Sequence, residues 1–107
     1  MKVIVVGAGE VGTYVADRLN RHHDVSLMEK NQERFNQIER DSSLDVLTIL
    51  GSGTDPEALK RAGVEEADLL VAVTKNDDAN LLAALLAKQA GVKRTVVRVE
   101  SRGLRNK

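Results

Sequence analysis

The chain has 107 residues, enough for one domain with a real core and too few for a second. Its 16 Lys and Arg balance 16 Asp and Glu, and only Tyr14 and Phe35 are aromatic, so nucleic acid is not an expected partner. The absence of cysteine excludes disulfides and thiolate metal sites, and no apolar run is long enough to span a bilayer.

Short apolar runs alternate with helical patterns along the whole chain. The first run, Lys2-Val3-Ile4-Val5-Val6, predicts a strand over 2–6 and feeds directly into Gly7-Ala8-Gly9-Glu10-Val11-Gly12. A helix is expected over about 10–21, with Val11, Val15 and Leu19 as its buried stripe. A second strand over 25–29 ends in Glu29, seventeen positions past Gly12. Asn31 caps a helix over about 31–41. A third strand at 45–50 leads to Gly51-Ser52-Gly53-Thr54, and Asp55-Pro56 opens a helix over 56–62 that Gly63 ends. The apolar run Leu69–Val73 marks a strand over 68–73. Asn76 or Asp77 caps a helix over 77–90, Gly91 ends it, and a fifth strand is expected over 95–99. Nearly continuous apolar runs of this kind are expected in parallel strands buried on both faces.

Within Leu81–Ala87, the four leucines span an arc of about 140° with the alanines opposite. Packing of the leucine arc against the sheet accounts for this pattern; a partner helix on the alanine side is the alternative. The expected fold is α/β, a Rossmann-type open parallel sheet of order 3-2-1-4-5 with right-handed crossovers and helices on both faces. Five strands use nearly all the residues, which leaves the fifth as an edge. The expected organisation is a single domain over 1–107, either the N-terminal part of a longer protein or one whose edge a second copy covers. The basic tail to Lys107 reads as a solvated terminus.

Strand, Gly-x-Gly-x-x-Gly, helix and a distant acidic strand end together form a dinucleotide-binding fingerprint. Gly7 lets the chain turn, Gly9 lets the backbone approach a pyrophosphate, and Gly12 lets the helix pack closely. The cradle is therefore Gly7, Ala8, Gly9, Glu10, Val11 and Gly12, whose N–H groups meet phosphates at the positive end of a helix dipole. Glu10 is expected to point outward. Glu29 would accept ribose hydroxyls and repel a 2′-phosphate, favouring NAD(H) or an adenine nucleotide over NADP(H), with Lys30 softening the discrimination. Gly51 and Ser52 either approach an adenine edge or simply make a turn. Val73, Thr74 and Asn80 face the far side of the crevice, Asn80 as a hydrogen-bonding residue. Arg98 needs a phosphate, a carboxylate or solvent as partner. No nucleophile triad, metal set or general acid beside a nicotinamide is evident.

These residues resemble the RCK/KTN domain, also called the TrkA N-terminal domain, of bacterial and archaeal potassium transport regulators. The resemblance is carried by Val5–Gly12, Asp24-Val25 leading to Glu29, Gly51–Asp55, Leu59 with Ala62-Gly63-Val64, Ala67-Asp68, Val73-Thr74, Asp78-Ala79-Asn80 and Arg98-Val99. It implies a cytoplasmic regulatory domain that binds NAD(H), or ATP, ADP or AMP. It also implies assembly as dimers or rings beneath a membrane potassium channel or transporter, whose gating the ligand biases. Family contacts map onto Gly7 to Val11, Glu29, Gly51-Ser52, Val73-Thr74 and Arg98; Ser52 departs from the acidic residue many members carry. The competing reading is the cofactor half of an NAD-dependent oxidoreductase.

Overall fold

A computed structural model describes residues 1–100; the expected basic tail lies outside the described residues. The elements are β1 (Lys2–Val6), α1 (Glu10–Leu19), β2 (Asp24–Glu29), α2 (Gln32–Glu39) and β3 (Leu47–Leu50). They continue with α3 (Pro56–Arg61), a 3₁₀ turn (Val64–Glu66), β4 (Leu69–Ala72), α4 (Asp77–Gln89) and β5 (Arg94–Val97). The five strands form one sheet in the order β3-β2-β1-β4-β5, every pair parallel. Expected and observed elements agree in type and order, and their ends differ by a few residues.

Alternation along β1 divides the core in two. Ile4 and Val6 pack with Met28, Ala58, Leu59, Leu70, Ala83 and Ala87 beneath α3 and α4. Val3 and Val5 pack with Ala16, Leu27, Ile38 and Val71 beneath α1 and α2. Both faces of the central strand are thus covered, as the unbroken Val-Ile-Val-Val run requires. Each fully buried large side chain contributes about 1.5–3 kcal/mol relative to exposure. The caps follow the sequence: Asn31 Oδ1 accepts the Arg34 N–H, Asp55 Oδ1 the Glu57 N–H and Asn76 Oδ1 the Ala79 N–H. Gly63 and Gly91 take φ of 91° and 103° where their helices end. In the turn after α2, the Ser43 hydroxyl and N–H hold the Asp41 carboxyl below its ordinary pKa.

Three packing expectations are corrected. On α4 the buried stripe is Asn80, Ala83, Ala84 and Ala87, while Leu81, Leu82 and Leu85 are 50, 44 and 55% exposed. The cause is close approach. A Cβ on Gly53 would meet Val6 at 2.5 Å and Ala83 Cβ at 3.3 Å, so the β3–α3 loop is wedged between β1 and α4. Only small side chains fit the inner face of a helix held that near. On α1 the buried pair is Gly12 and Ala16, with Val15 and Leu19 half-buried and Val11 exposed. A Cβ on Gly12 would lie 1.6 Å from the Gly7 carbonyl oxygen, so the Gly12 side of the helix faces inward and Val11 is turned outward. Finally, β5 is not buried on both faces. It is the edge strand that the strand count led one to expect, and Val96 is 53% exposed because no described helix covers its second side.

Candidate functional site

The parallel ladders continue past the strand ends and draw four loops together at the carboxyl edge of the sheet. The Gly7 N–H donates to the Met28 carbonyl at 2.8 Å, and the Gly51 N–H to the Glu29 carbonyl at 2.9 Å. Likewise Val73 donates to Val6 at 2.9 Å and Arg98 to Ala72 at 3.0 Å. Between these loops lies a crevice of about 870 Å³, centred where the strand order reverses across β1 and β4. Ligands of open α/β sheets occupy this position, and the volume suits a nucleotide-sized molecule.

The three motif glycines do different work. Gly7 has φ of 105°, and a Cβ there would sit 3.0 Å from the Thr74 N and Cγ2. Gly12 is glycine because any side chain would strike the Gly7 carbonyl. Gly9 is required by neither effect. Its φ and ψ are −75° and −165°, open to any residue, and a Cβ there would meet no protein atom within 4 Å. Gly9 is also the N-cap of α1, with no side-chain cap, and the N–H groups of Gly9, Glu10, Val11 and Gly12 find no acceptor among the described residues. Bare main-chain donors at a helix start, with Gly9, Glu10 and Val11 lining the crevice, fit a phosphate.

Glu29 lies at the end of β2 with both oxygens engaged. Oε1 accepts the Ala8 N–H at 2.8 Å and Oε2 the Asn31 N–H at 2.9 Å. These donors fix the carboxylate plane beside the cradle and leave lone pairs for further hydroxyl donors. Lys30, next along, is exposed and lines the crevice, as does exposed Glu10. Gly51 and Ser52 also line it. The glycines of this loop are explained by packing: a Cβ on Gly51 would meet Ala58 Cβ at 2.7 Å, and Gly53 is wedged as described. Ser52 Oγ and Thr54 Oγ1 share a hydrogen bond of 2.7 Å within the turn.

On the far wall, Val73 and Thr74 line the crevice with Lys75, Asn76 and Arg98. Asn80 does not. It is fully buried one layer behind, where Oδ1 accepts the Thr74 N–H and hydroxyl, at 3.0 and 2.6 Å. Its Nδ2 donates to the carbonyls of Thr74 and Arg98, at 3.0 and 2.9 Å. All its polar capacity goes into joining the ends of β4 and β5, so its reach to a ligand is through Thr74. Ala8 and Gly12 are likewise buried behind the lining surface. Arg98 has found a carboxylate: it pairs with Glu100, whose N–H donates to Asp77 Oδ1 at 2.9 Å.

Lys75 lines the crevice as the segment after Thr74 was expected to, whereas Arg34 is the residue that sequence reasoning missed. Arg34 comes from the first turn of α2, lines the crevice, and donates through Nε to the Ala8 carbonyl at 2.6 Å. Its position five residues past Glu29 was the available signal. The lining side chains carry four cations, Lys30, Arg34, Lys75 and Arg98, against two acids, Glu10 and Glu29. That balance attracts an anionic ligand. Among the described residues no group of His, Cys, Asp and Glu is placed to hold a metal, and no helix is long and apolar enough to cross a membrane.

Comparison with known proteins agrees with this geometry. A solved structure, the NAD(P)-binding domain of an exopolyphosphatase-related protein from Archaeoglobus fulgidus, superposes with a TM-score of 0.76. It covers 97% of this chain and 77% of its own, at 19% identity, a likeness of fold. A curated relative, the Trk system potassium uptake protein TrkA homolog of Archaeoglobus fulgidus, is 48% identical over 94% of this chain. The TrkA homolog of Pyrococcus abyssi is 41% identical over 96%. The chain spans 22% of the length of the first relative and 45% of the second. The family model described as the TrkA-N domain matches residues 3–107, and the chain belongs to that family.

Proposed function

We propose that this chain is a nucleotide-sensing module that holds NAD(H) in the crevice and regulates a membrane potassium uptake system, without chemistry of its own. The observation that carries the reading is Gly9, a glycine that neither backbone conformation nor packing requires, at a helix start whose N–H groups find no acceptor among the described residues. The diphosphate lies against the N–H groups from Gly9 to Val11, and the ribose hydroxyls donate to Glu29. Its carboxylate disfavours a 2′-phosphate, so NADP(H) is the weaker ligand. ATP, ADP and AMP share the adenosine and phosphate chemistry and are the competing ligands. When bound, a nicotinamide cofactor would bring redox capacity to the crevice.

The names of the 48% and 41% identical relatives support the potassium-uptake setting. The transporter partner, a homo-oligomeric dimer or ring, and a place at the cytoplasmic face of the membrane follow from the same reading. So does membership of a longer protein, since the relatives extend well beyond the matched region. A titration of purified protein with NADH, NAD, NADPH, ATP, ADP and AMP tests it. Tighter binding of NADH and adenine nucleotides than of NADPH is expected; equal NADPH and NADH affinity would remove Glu29 from the account. Steady NADH oxidation by the chain with a supplied carbonyl compound as hydride acceptor would return the oxidoreductase reading.

A further inference from the structure

Ala8 is held from two sides by charged side chains. Its N–H donates to Glu29 Oε1 at 2.8 Å, and its carbonyl accepts from Arg34 Nε at 2.6 Å. The guanidinium is itself tethered, with Nη1 donating to Gln37 Oε1 at 3.0 Å one turn along α2. The start of α2 is fixed in turn by Glu29, which takes the Asn31 N–H, and by Asn31, which takes the Arg34 N–H. Glu29, Asn31, Arg34 and Ala8 therefore close a ring of hydrogen bonds around one side of the cradle. No cis peptide interrupts it. In a trans peptide the carbonyl and the following N–H point in opposite directions. A hydrogen bond that fixes the Ala8 carbonyl thus also fixes where the Gly9 N–H points.

We propose that Arg34 is a positioning residue that aims the Gly9 N–H into the crevice and so sets the affinity for the diphosphate of a nucleotide. The inference rests on the nucleotide-binding reading for its ligand, while the aim of the peptide is a property of the free protein. Preorganised donors bind more tightly because no free energy is lost in turning them on association. A loop free to rotate its Ala8–Gly9 peptide would present the donor only part of the time, and apparent affinity falls by that fraction. The role needs an N–H donor on the Ala8 carbonyl rather than a charge. That requirement separates it from a direct contact between the guanidinium and an adenosine group.

Two variants decide the matter. Arg34→Met keeps the apolar stem and removes every donor, whereas Arg34→Gln keeps a neutral N–H donor. Thermal melting of both confirms that they fold. In the ligand-free, ¹⁵N-labelled protein, Arg34→Met is expected to shift the Gly9 amide resonance and to lower the order parameter of its N–H vector. Gly63 and Gly91 report the background, and Arg34→Gln should restore the parent pattern. In titrations, Arg34→Met should weaken NADH and ADP at least tenfold and adenosine less than twofold, with Arg34→Gln recovering most of the loss. Equal loss for ADP and adenosine, or Arg34→Gln behaving as Arg34→Met, would overturn the proposal. So would an unmoved Gly9 amide. If the parent protein binds no nucleotide, the functional reading fails, and the amide measurement still settles what Arg34 does.

Discussion

Replacing Gly9 by serine should raise stability and destroy binding together. The backbone at Gly9 is extended, at φ −75° and ψ −165°, so serine enters without strain, and its Cβ meets no protein atom within 4 Å. Removing a glycine from the unfolded ensemble contributes about 0.4–1 kcal/mol. Serine is also a better N-cap than glycine by a few tenths of a kcal/mol. A net gain of about 1 kcal/mol corresponds to a rise of about 4–8 °C in Tm for a domain near this size. Alanine would be close to neutral, because its poor N-cap preference offsets the same entropy gain. The new side chain occupies the space through which a phosphate reaches the helix start, so NADH affinity should fall at least tenfold, about 1.4 kcal/mol. Gly12→Ala is the contrasting control. Its Cβ would stand 1.6 Å from the Gly7 carbonyl oxygen, and the loop must shift at a cost of about 3 kcal/mol. Thermal melts and NADH titrations of both variants suffice. Unchanged NADH affinity in Gly9→Ser would refute the reasoning, as would a fall in Tm.

The remaining predictions concern the ribose end and the outer faces. Glu29→Ala should narrow the preference for NADH over NADPH about tenfold, measured by parallel titrations; an unchanged ratio would show that Glu29 serves only to hold Ala8 and Asn31. On α4, Leu85→Gln should change stability by less than about 0.5 kcal/mol, because Leu85 is 55% exposed. Ala83→Leu should cost about 1–3 kcal/mol, because Ala83 packs where the Gly53 loop leaves no room. Equal urea midpoints for these two variants would reverse the assignment of the faces.

The amino-acid pattern was enough to place the crevice. Unbroken apolar runs marked buried parallel strands, and the distance from Gly12 to Glu29 placed the carboxylate at the end of β2. Asn31, Asp55 and Asn76 started their helices as short polar residues do. What the pattern concealed was how near the layers approach one another. On α4 the spacing of Asn80, Ala83, Ala84 and Ala87 described the inner face correctly, but the leucines opposite carried more apolar volume and drew the assignment to themselves. Asn80 was the clue and was taken for a ligand group, whereas its hydrogen bonds to Thr74 and Arg98 show how a polar residue can belong to a core. The same proximity turned Val11 outward. Arg34 escaped notice because its bond to Ala8 depends on how tightly the chain turns after β2, a tertiary fact that local spacing does not express.

The account depends on where a diphosphate sits. A structure of the protein with NADH should show the pyrophosphate oxygens within hydrogen-bonding distance of the N–H groups from Gly9 to Val11, and a ribose hydroxyl on Glu29. Nucleotide bound at any other surface, with the start of α1 left bare, would contradict it.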